Sequence, residues 1–199
     1  MEQFPYDADT LLGRYDTIIL SDLPSDSLLL PRAVFIDGQT RPNRLSAIGD
    51  FVHRGGGLLM VGGYMSFSGF EGRARYGMTS LAEVLPVEML HWDDRKEVPE
   101  GVVPLVKESH VVVEGLEGGW PHFLGYNLVR ERADAHVVLA ADNGDPLLVV
   151  GTHGAGRVAA FMSDCAPHWG SPAFMGWEFY GRFWTQLVRW LSSQDHDVA

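Results

Sequence analysis

Short apolar runs interrupted by glycine and proline set the rhythm of the chain. Tyr15-Asp16-Thr17-Ile18-Ile19-Leu20-Ser21-Asp22 closes on polar residues and Pro24, as a buried parallel strand entering a loop does. Leu45, Ile48, Phe51 and Val52 then recur at helical spacing, and Gly55-Gly56-Gly57 stops that helix where a left-handed cap is needed. Leu58-Leu59-Met60-Val61 predicts a second buried strand, which runs into the glycine-bracketed turn Gly62-Gly63-Tyr64-Met65-Ser66-Phe67-Ser68-Gly69. Helix, glycines, buried strand and tight turn are the grammar of a doubly wound α/β sheet, in which ligands bind at the carboxyl ends of strands.

Beyond the turn, Ser80-Leu81-Ala82-Glu83 has capping-box spacing and predicts a short helix ending before Pro86. Residues 87–127 are rich in proline, glycine and charge, with β-like pieces at 102–106 and 111–113; neither half can bury a core of its own, so this is an insertion or edge region. Regular patterning returns with strands at 137–140, 147–150 and 157–162. The turn Gly151-Thr152-His153-Gly154-Ala155-Gly156 joins the last two as an antiparallel hairpin, and because it precedes a strand it is not a phosphate loop. Ser171-Pro172 supplies the cap and first-turn proline of a long final helix, whose Phe179, Tyr180, Phe183, Trp184, Leu187, Val188 and Leu191 form a wide apolar face for the core.

Composition narrows the class. A chain of 199 residues with 46% hydrophobic residues fits one α/β domain. No apolar stretch reaches the roughly 18–20 residues of a membrane span, and the start lacks a basic segment followed by an apolar run, so a cytoplasmic protein without a membrane partner is expected. Cys165 stands alone, which excludes an intrachain disulfide and a cysteine-based zinc site. The formal charge of −11, with scattered basic residues, argues against nucleic acid as a partner.

Four strings carry a family likeness: Arg41-Pro42-Asn43-Arg44-Leu45, the run from Gly55 to Tyr64, Phe70-Glu71-Gly72-Arg73-Ala74-Arg75-Tyr76, and Ser163-Asp164-Cys165-Ala166-Pro167-His168-Trp169. In this order they resemble a bacterial family of class I glutamine amidotransferase-like proteins, along nearly the whole chain. The resemblance implies a flavodoxin-like, doubly wound, mostly parallel sheet in a single domain spanning 1–199, with kinship to trehalose-utilisation-type proteins and to the trimerisation domain of certain β-galactosidases. Family members begin with an additional strand and helix before the point where Met1 stands, so an open sheet edge that favours homo-oligomers is expected.

The likeness also locates candidate chemistry. A glutaminase needs a nucleophile on the strained turn after a central strand, a histidine, an acid to orient it, and backbone N–H groups for the oxyanion. Tyr64 stands where the family fold carries its cysteine, and a phenol with an ordinary pKa near 10 is a poor substitute for a thiolate. Ser66 and Ser68 are the nearest hydroxyls, Ser66 being the candidate for a displaced nucleophile. The loop at 21–24, with Asp22, corresponds to the oxyanion loop. Asp164, Cys165 and His168 leave the strand ending at Met162 and are the candidates for acid–base or nucleophilic work. Gly63, Arg73 and Arg75 complete a candidate binding set, the arginines as clamps for an anion.

His53, His91, His110, His122, His136, His153 and His196 show no metal-ligand spacing, and Asp93-Asp94-Arg95-Lys96 reads as a solvated turn. No metal or cofactor is expected. The expected function is an amidotransferase-like domain without glutaminase activity that binds a small polar ligand or serves assembly; the alternatives are an amidotransferase or sugar-related hydrolase using Asp164, Cys165 and His168, and an oligomerisation module.

Overall fold

Six strands form the central sheet of the computed structural model, which describes residues 3–116 and 119–192. In chain order the elements are α1 (Ala8–Leu12), β1 (Thr17–Ser21), α2 (Asp26–Leu29), α3 (Arg32–Phe35), α4 (Arg44–His53) and β2 (Gly57–Val61). Then follow β3 (Val87–Met89), β4 (Arg95–Val102), β5 (Leu105–Val106), β6 (Phe123–Asn127), β7 (Val129–Glu131) and β8 (His136–Ala140). The chain ends with β9 (Pro146–His153), β10 (Gly156–Phe161), α5 (Pro172–Met175) and α6 (Tyr180–Ser192). His196 lies outside the described residues.

The sheet order is β1-β2-β10-β9-β8-β5. β1, β2 and β10 run parallel, whereas β9, β8 and β5 join antiparallel, so the expected hairpin of β9 and β10 opens an antiparallel half. The mixed α/β class is the expected one. Every residue of β2 is buried, as its unbroken apolar run requires of a central strand.

Helices cover both faces of the parallel half. Asn43 caps α4, its side chain accepting from Leu45 N–H at 2.9 Å, and Leu45, Ile48, Phe51 and Val52 are wholly buried. Gly55, at φ 113°, turns the chain into β2. On the other face α6 buries Phe183, Leu187 and Leu191. Phe161 and Phe174 pack around Phe123, with ring centroids 5.5 Å and 4.8 Å away.

Four local expectations are corrected. The helix after Ser171 is two: Ser171 caps α5 as expected, but Gly176 ends it and α6 starts afresh at Tyr180. Thr79, not Ser80, caps the turn Ser80–Ala82, which is a 3-10 helix. Val111–Val113 is also 3-10, because His110 Nδ1 accepts from Val112 N–H and closes a tight turn. Finally, the 87–127 region holds the β4–β6 antiparallel ladder and supplies β3, which pairs antiparallel with β7 just beyond it. Arg95 and Lys96 thus belong to a strand rather than a solvated turn, and Asp94 is fully buried.

Candidate functional site

Parallel pairing of β1, β2 and β10 brings three carboxyl ends side by side, and their loops build the site. β1 leads to Asp22, β2 to the turn at 62–69, and β10 to the loop at 163–169. Gly62 has no room for a Cβ against the Met162 carbonyl, so the ends of β2 and β10 are in direct contact.

A buried polar network holds the turn. The Asn127 amide accepts from Gly63 N–H at 3.0 Å and donates to Gly63 O at 3.1 Å and to Asp94 Oδ1 at 2.8 Å. Asp94 also accepts from Ser68 N–H at 2.8 Å and Gly69 N–H at 2.9 Å. Burial pushes Asp94 up to about 6, and these hydrogen bonds only partly oppose it. From the opposite side Asp22 Oδ1 accepts from Met65 N–H at 2.7 Å. A Cβ at Gly63 would come within 2.7 Å of that same oxygen, which explains the glycine. Ser66, the candidate for a displaced nucleophile, is 1% exposed; its hydroxyl donates to Val61 O at 2.6 Å and accepts from Asp22 N–H at 3.2 Å. It is a brace of the turn.

Tyr64 is enclosed by rings and charge. Its hydroxyl donates to Glu97 Oε1 at 2.7 Å, and Trp169 Nε1–H donates to Glu97 Oε2 at 2.9 Å. The Arg95 guanidinium lies 4.4 Å from the Tyr64 ring centroid and 4.3 Å from that of Phe70. The hydrogen bond to Glu97 raises the phenol above its ordinary pKa, and burial adds to it. Burial also works to raise Glu97, but the hydrogen bonds from Tyr64 and Trp169 and the nearby charges of His168 and Arg95 outweigh it and leave the carboxyl lowered. Arg95 is held in turn by Asp93, through Nε at 2.9 Å and Nη2 at 2.8 Å, and that pairing lowers Asp93 to about 2.

Asp164 and His168 meet as a dyad, His168 Nδ1 lying 2.9 Å from Asp164 Oδ2. The side chains are 10% and 41% exposed respectively, so a sheltered carboxylate orients an imidazole open to solvent. Burial raises Asp164, and the charge of Asp22 contributes in the same sense. The His168 ring stands edge-on to Tyr64, centroids 4.5 Å apart, and stacks on Trp169 at 5.2 Å.

Asp22, Tyr64, Asp164 and His168 are therefore gathered at one rim. Cys165 is beside them: its half-buried thiol lies 3.6 Å from Ser21 Oγ at the end of β1, and no hydrogen bond among the described residues joins it to His168. Arg73 and Arg75 are exposed, Arg73 being paired with Glu71. Among the described residues, the non-glycine positions with positive φ are Asp22, Phe67, Glu71, Arg75 and His168, all on the turn, on the segment that follows it, or on the two facing loops. Such strain concentrates where the surrounding structure fixes a site.

Asp94, Arg95, Glu97 and Asn127 were not singled out by the sequence. The side-chain hydrogen-bond partners of Asp94, Glu97 and Asn127 lie 25–72 positions away, beyond any local signal, whereas Arg95 is held by Asp93, two residues before it. The run of five charged residues from Asp93 to Glu97 is the one trace of them.

With this geometry in place, the wider likeness can be read. The family model described as "Putative glutamine amidotransferase" matches residues 1–193, and the chain belongs to that family. Cytoplasmic Protein STM3548 from Salmonella typhimurium is 48% identical, with a TM-score of 0.91 over 94% of this chain and 76% of that one. Cytoplasmic Protein STM1381 from Salmonella typhimurium LT2 is 44% identical, with a TM-score of 0.92 over 96% and 77%. A β-galactosidase from Rahnella sp. R3, at 19% identity and TM-score 0.54 over 92% of this chain and 23% of that one, shares the fold alone. No curated protein matches.

Proposed function

We propose that this is a class I amidotransferase-like domain without glutaminase activity, which binds a small polar ligand at the rim formed by Asp22, Tyr64, Asp164 and His168. One observation carries the reading: the apex of the turn holds a phenol tied to Glu97 at 2.7 Å, in place of a thiol facing the histidine. Two carboxylates and an imidazole remain at the rim to meet hydroxyl, amide or amine groups of a ligand, with Gly63, Arg73 and Arg75 at its border. The doubly wound, flavodoxin-like arrangement is supported by the parallel β1-β2-β10 half lying between α4 and α6.

Purified protein incubated with glutamine is expected to release no ammonia above the blank in a coupled glutamate dehydrogenase assay. Release that disappears in Cys165→Ser would overturn this. Binding itself is read as a rise in melting temperature with members of a polyol and amino-acid panel, lost in Asp164→Asn and His168→Ala.

A second reading, acid–base catalysis on a sugar-like substrate, is favoured by the oriented Asp164–His168 dyad. Hydrolysis of a chromogenic glycoside panel, lost in His168→Ala, would support it over binding alone. A cytoplasmic location fits the names of the two similar Salmonella proteins; among the described residues no helix is long and apolar enough to cross a membrane. Self-association is supported by β1, an edge strand with Ile19 49% exposed. A strict monomer in light scattering would count against it.

A further inference from the structure

At the opposite end of the sheet from the rim, α6 leaves part of the sheet face uncovered. β10 enters there, β9 leaves and β8 begins, so His136 pairs with Val150 and Arg157 with Thr152. Side chains of paired residues share a face, and Val138, at the irregularity in the β8–β9 register, lines the same cleft as His136. The resulting cleft has a volume of about 410 Å³. That lies within the roughly 300–1,000 Å³ of small-molecule sites.

Its walls differ in chemistry. Val138 and Val150, 0% and 1% exposed, close its base from within the sheet. Trp190 of α6 and His110 make an aromatic wall, His110 standing edge-on to the indole with centroids 5.1 Å apart. Burial, followed by the charges of His136 and Arg157, lowers His110, whose Nδ1 accepts from Val112 N–H. Charge is divided between the two sides. Arg157 sits on β10 over the Trp190 ring and donates to the Trp190 carbonyl at 2.9 Å. Two strands away, about 10 Å across the sheet, Asp134 precedes β8, and Glu108 follows β5 one strand beyond; both are exposed on the rim, with Glu108 Oε2 3.2 Å from His136 Nδ1.

We propose that this cleft is a second ligand site, which takes a small aromatic amine with its ring over the sheet at Val138 and Val150 against Trp190 and its ammonium between Glu108 and Asp134. A flat ring matches the space between the sheet and an aromatic wall. The cationic end is set by the acidic rim, by Arg157 repelling it from the far side, and by a net charge of −11 that concentrates cations near the surface. The site shares no residue with the rim at the other end, so it stands or falls independently of the glutaminase reading.

The test is an NMR titration of the full chain with tryptamine, with indole-3-propionate as its anionic counterpart. Tryptamine is expected to shift the Trp190 indole N–H and the His110 ring C–H progressively, with the propionate binding at least about tenfold more weakly. The double variant Glu108→Gln/Asp134→Asn changes only exposed side chains and is expected to weaken tryptamine about tenfold while leaving the folded spectrum intact. Unmoved Trp190 and His110 signals at millimolar tryptamine would overturn the site. Equal affinity for the two probes, or unchanged tryptamine affinity in the double variant, would overturn the assignment of its ligand.

Discussion

At the scale of single residues, the decisive feature is how Tyr64 is satisfied. A phenol at the apex of a strained turn needs a partner once it is partly desolvated, and Glu97 supplies one while also accepting from Trp169. Tyr64→Phe removes a hydrogen bond to a charged acceptor whose side chain is 50% exposed, so water can replace the lost donor. The expected cost is about 1 kcal/mol in urea denaturation, at the low end for such bonds. Trp169 is 1% exposed and fills the space over Gly125, where no Cβ fits. Trp169→Ala is therefore expected to cost about 3–5 kcal/mol, measured the same way. A Tyr64→Phe loss as large as that of Trp169→Ala would mean that the phenol, rather than the indole, anchors the loop at 163–169.

At the scale of elements, the turn after β2 is held from below by Asp94 and Asn127, which come from the start and the pairing partner of β4. Asp94→Asn keeps the shape but presents an amide N–H₂ to one of the backbone N–H donors at Ser68 and Gly69, leaving a buried donor unmatched. A loss of about 1–3 kcal/mol at neutral pH is expected from the broken match. The pH dependence follows from the sign of the shift. Asp94 titrates near 6 in the folded chain, because burial disfavours its charge. An unfolded aspartate titrates near ~3.9, so the native state binds the extra proton between these values. Its contribution to stability is full below the lower value and is lost as pH rises through the upper one. Wild type minus Asp94→Asn stability should thus fall between about pH 4 and pH 6.5, and the Asp94 carboxyl carbon resonance should show a midpoint near 6. A midpoint at the ordinary aspartate value would remove this account.

These same elements show how much was legible in the chain. α4 announces itself by a helical period with one buried face, and β2 and the β9–β10 hairpin by unbroken apolar runs bounded by glycine, buried on both faces. Ser171 is equally visible as a cap. β4 is not, since its alternation of Arg95, Lys96, Glu97 and Pro99 buries little and is ordered by pairing with β6, some thirty positions away. With β4 unread, Asp94 reads as part of a solvated turn and Glu97 carries no signal of its own. The rim residues Asp22, Tyr64, Asp164 and His168 were accessible because parallel strands must end together. The partners that tie them in place depend on an antiparallel ladder without a hydrophobic signature.

At the scale of the whole molecule, charge is the property that most distinguishes this chain. Acidic residues outnumber basic ones by 26 to 15, and the Asp9–Arg54 and Glu71–Arg73 pairs are largely exposed. Exposed pairs contribute about 0–1 kcal/mol each, so they do not offset a general excess of carboxylates. Excess charge of one sign destabilises the folded state by self-repulsion over distances longer than a contact. Raising salt from about 10 mM to about 150 mM shortens the screening length from roughly 30 Å to roughly 8 Å, which removes repulsion between distant carboxylates before it weakens pairs in contact. The melting temperature is therefore expected to rise with sodium chloride, by about 2–4 °C for each kcal/mol of repulsion screened in a chain of this size. The same salt should weaken tryptamine at the cleft lined by Glu108 and Asp134, since that contact is with exposed carboxylates. A melting temperature that falls with salt would show that the exposed pairs, and not the carboxylate excess, govern the stability of this fold.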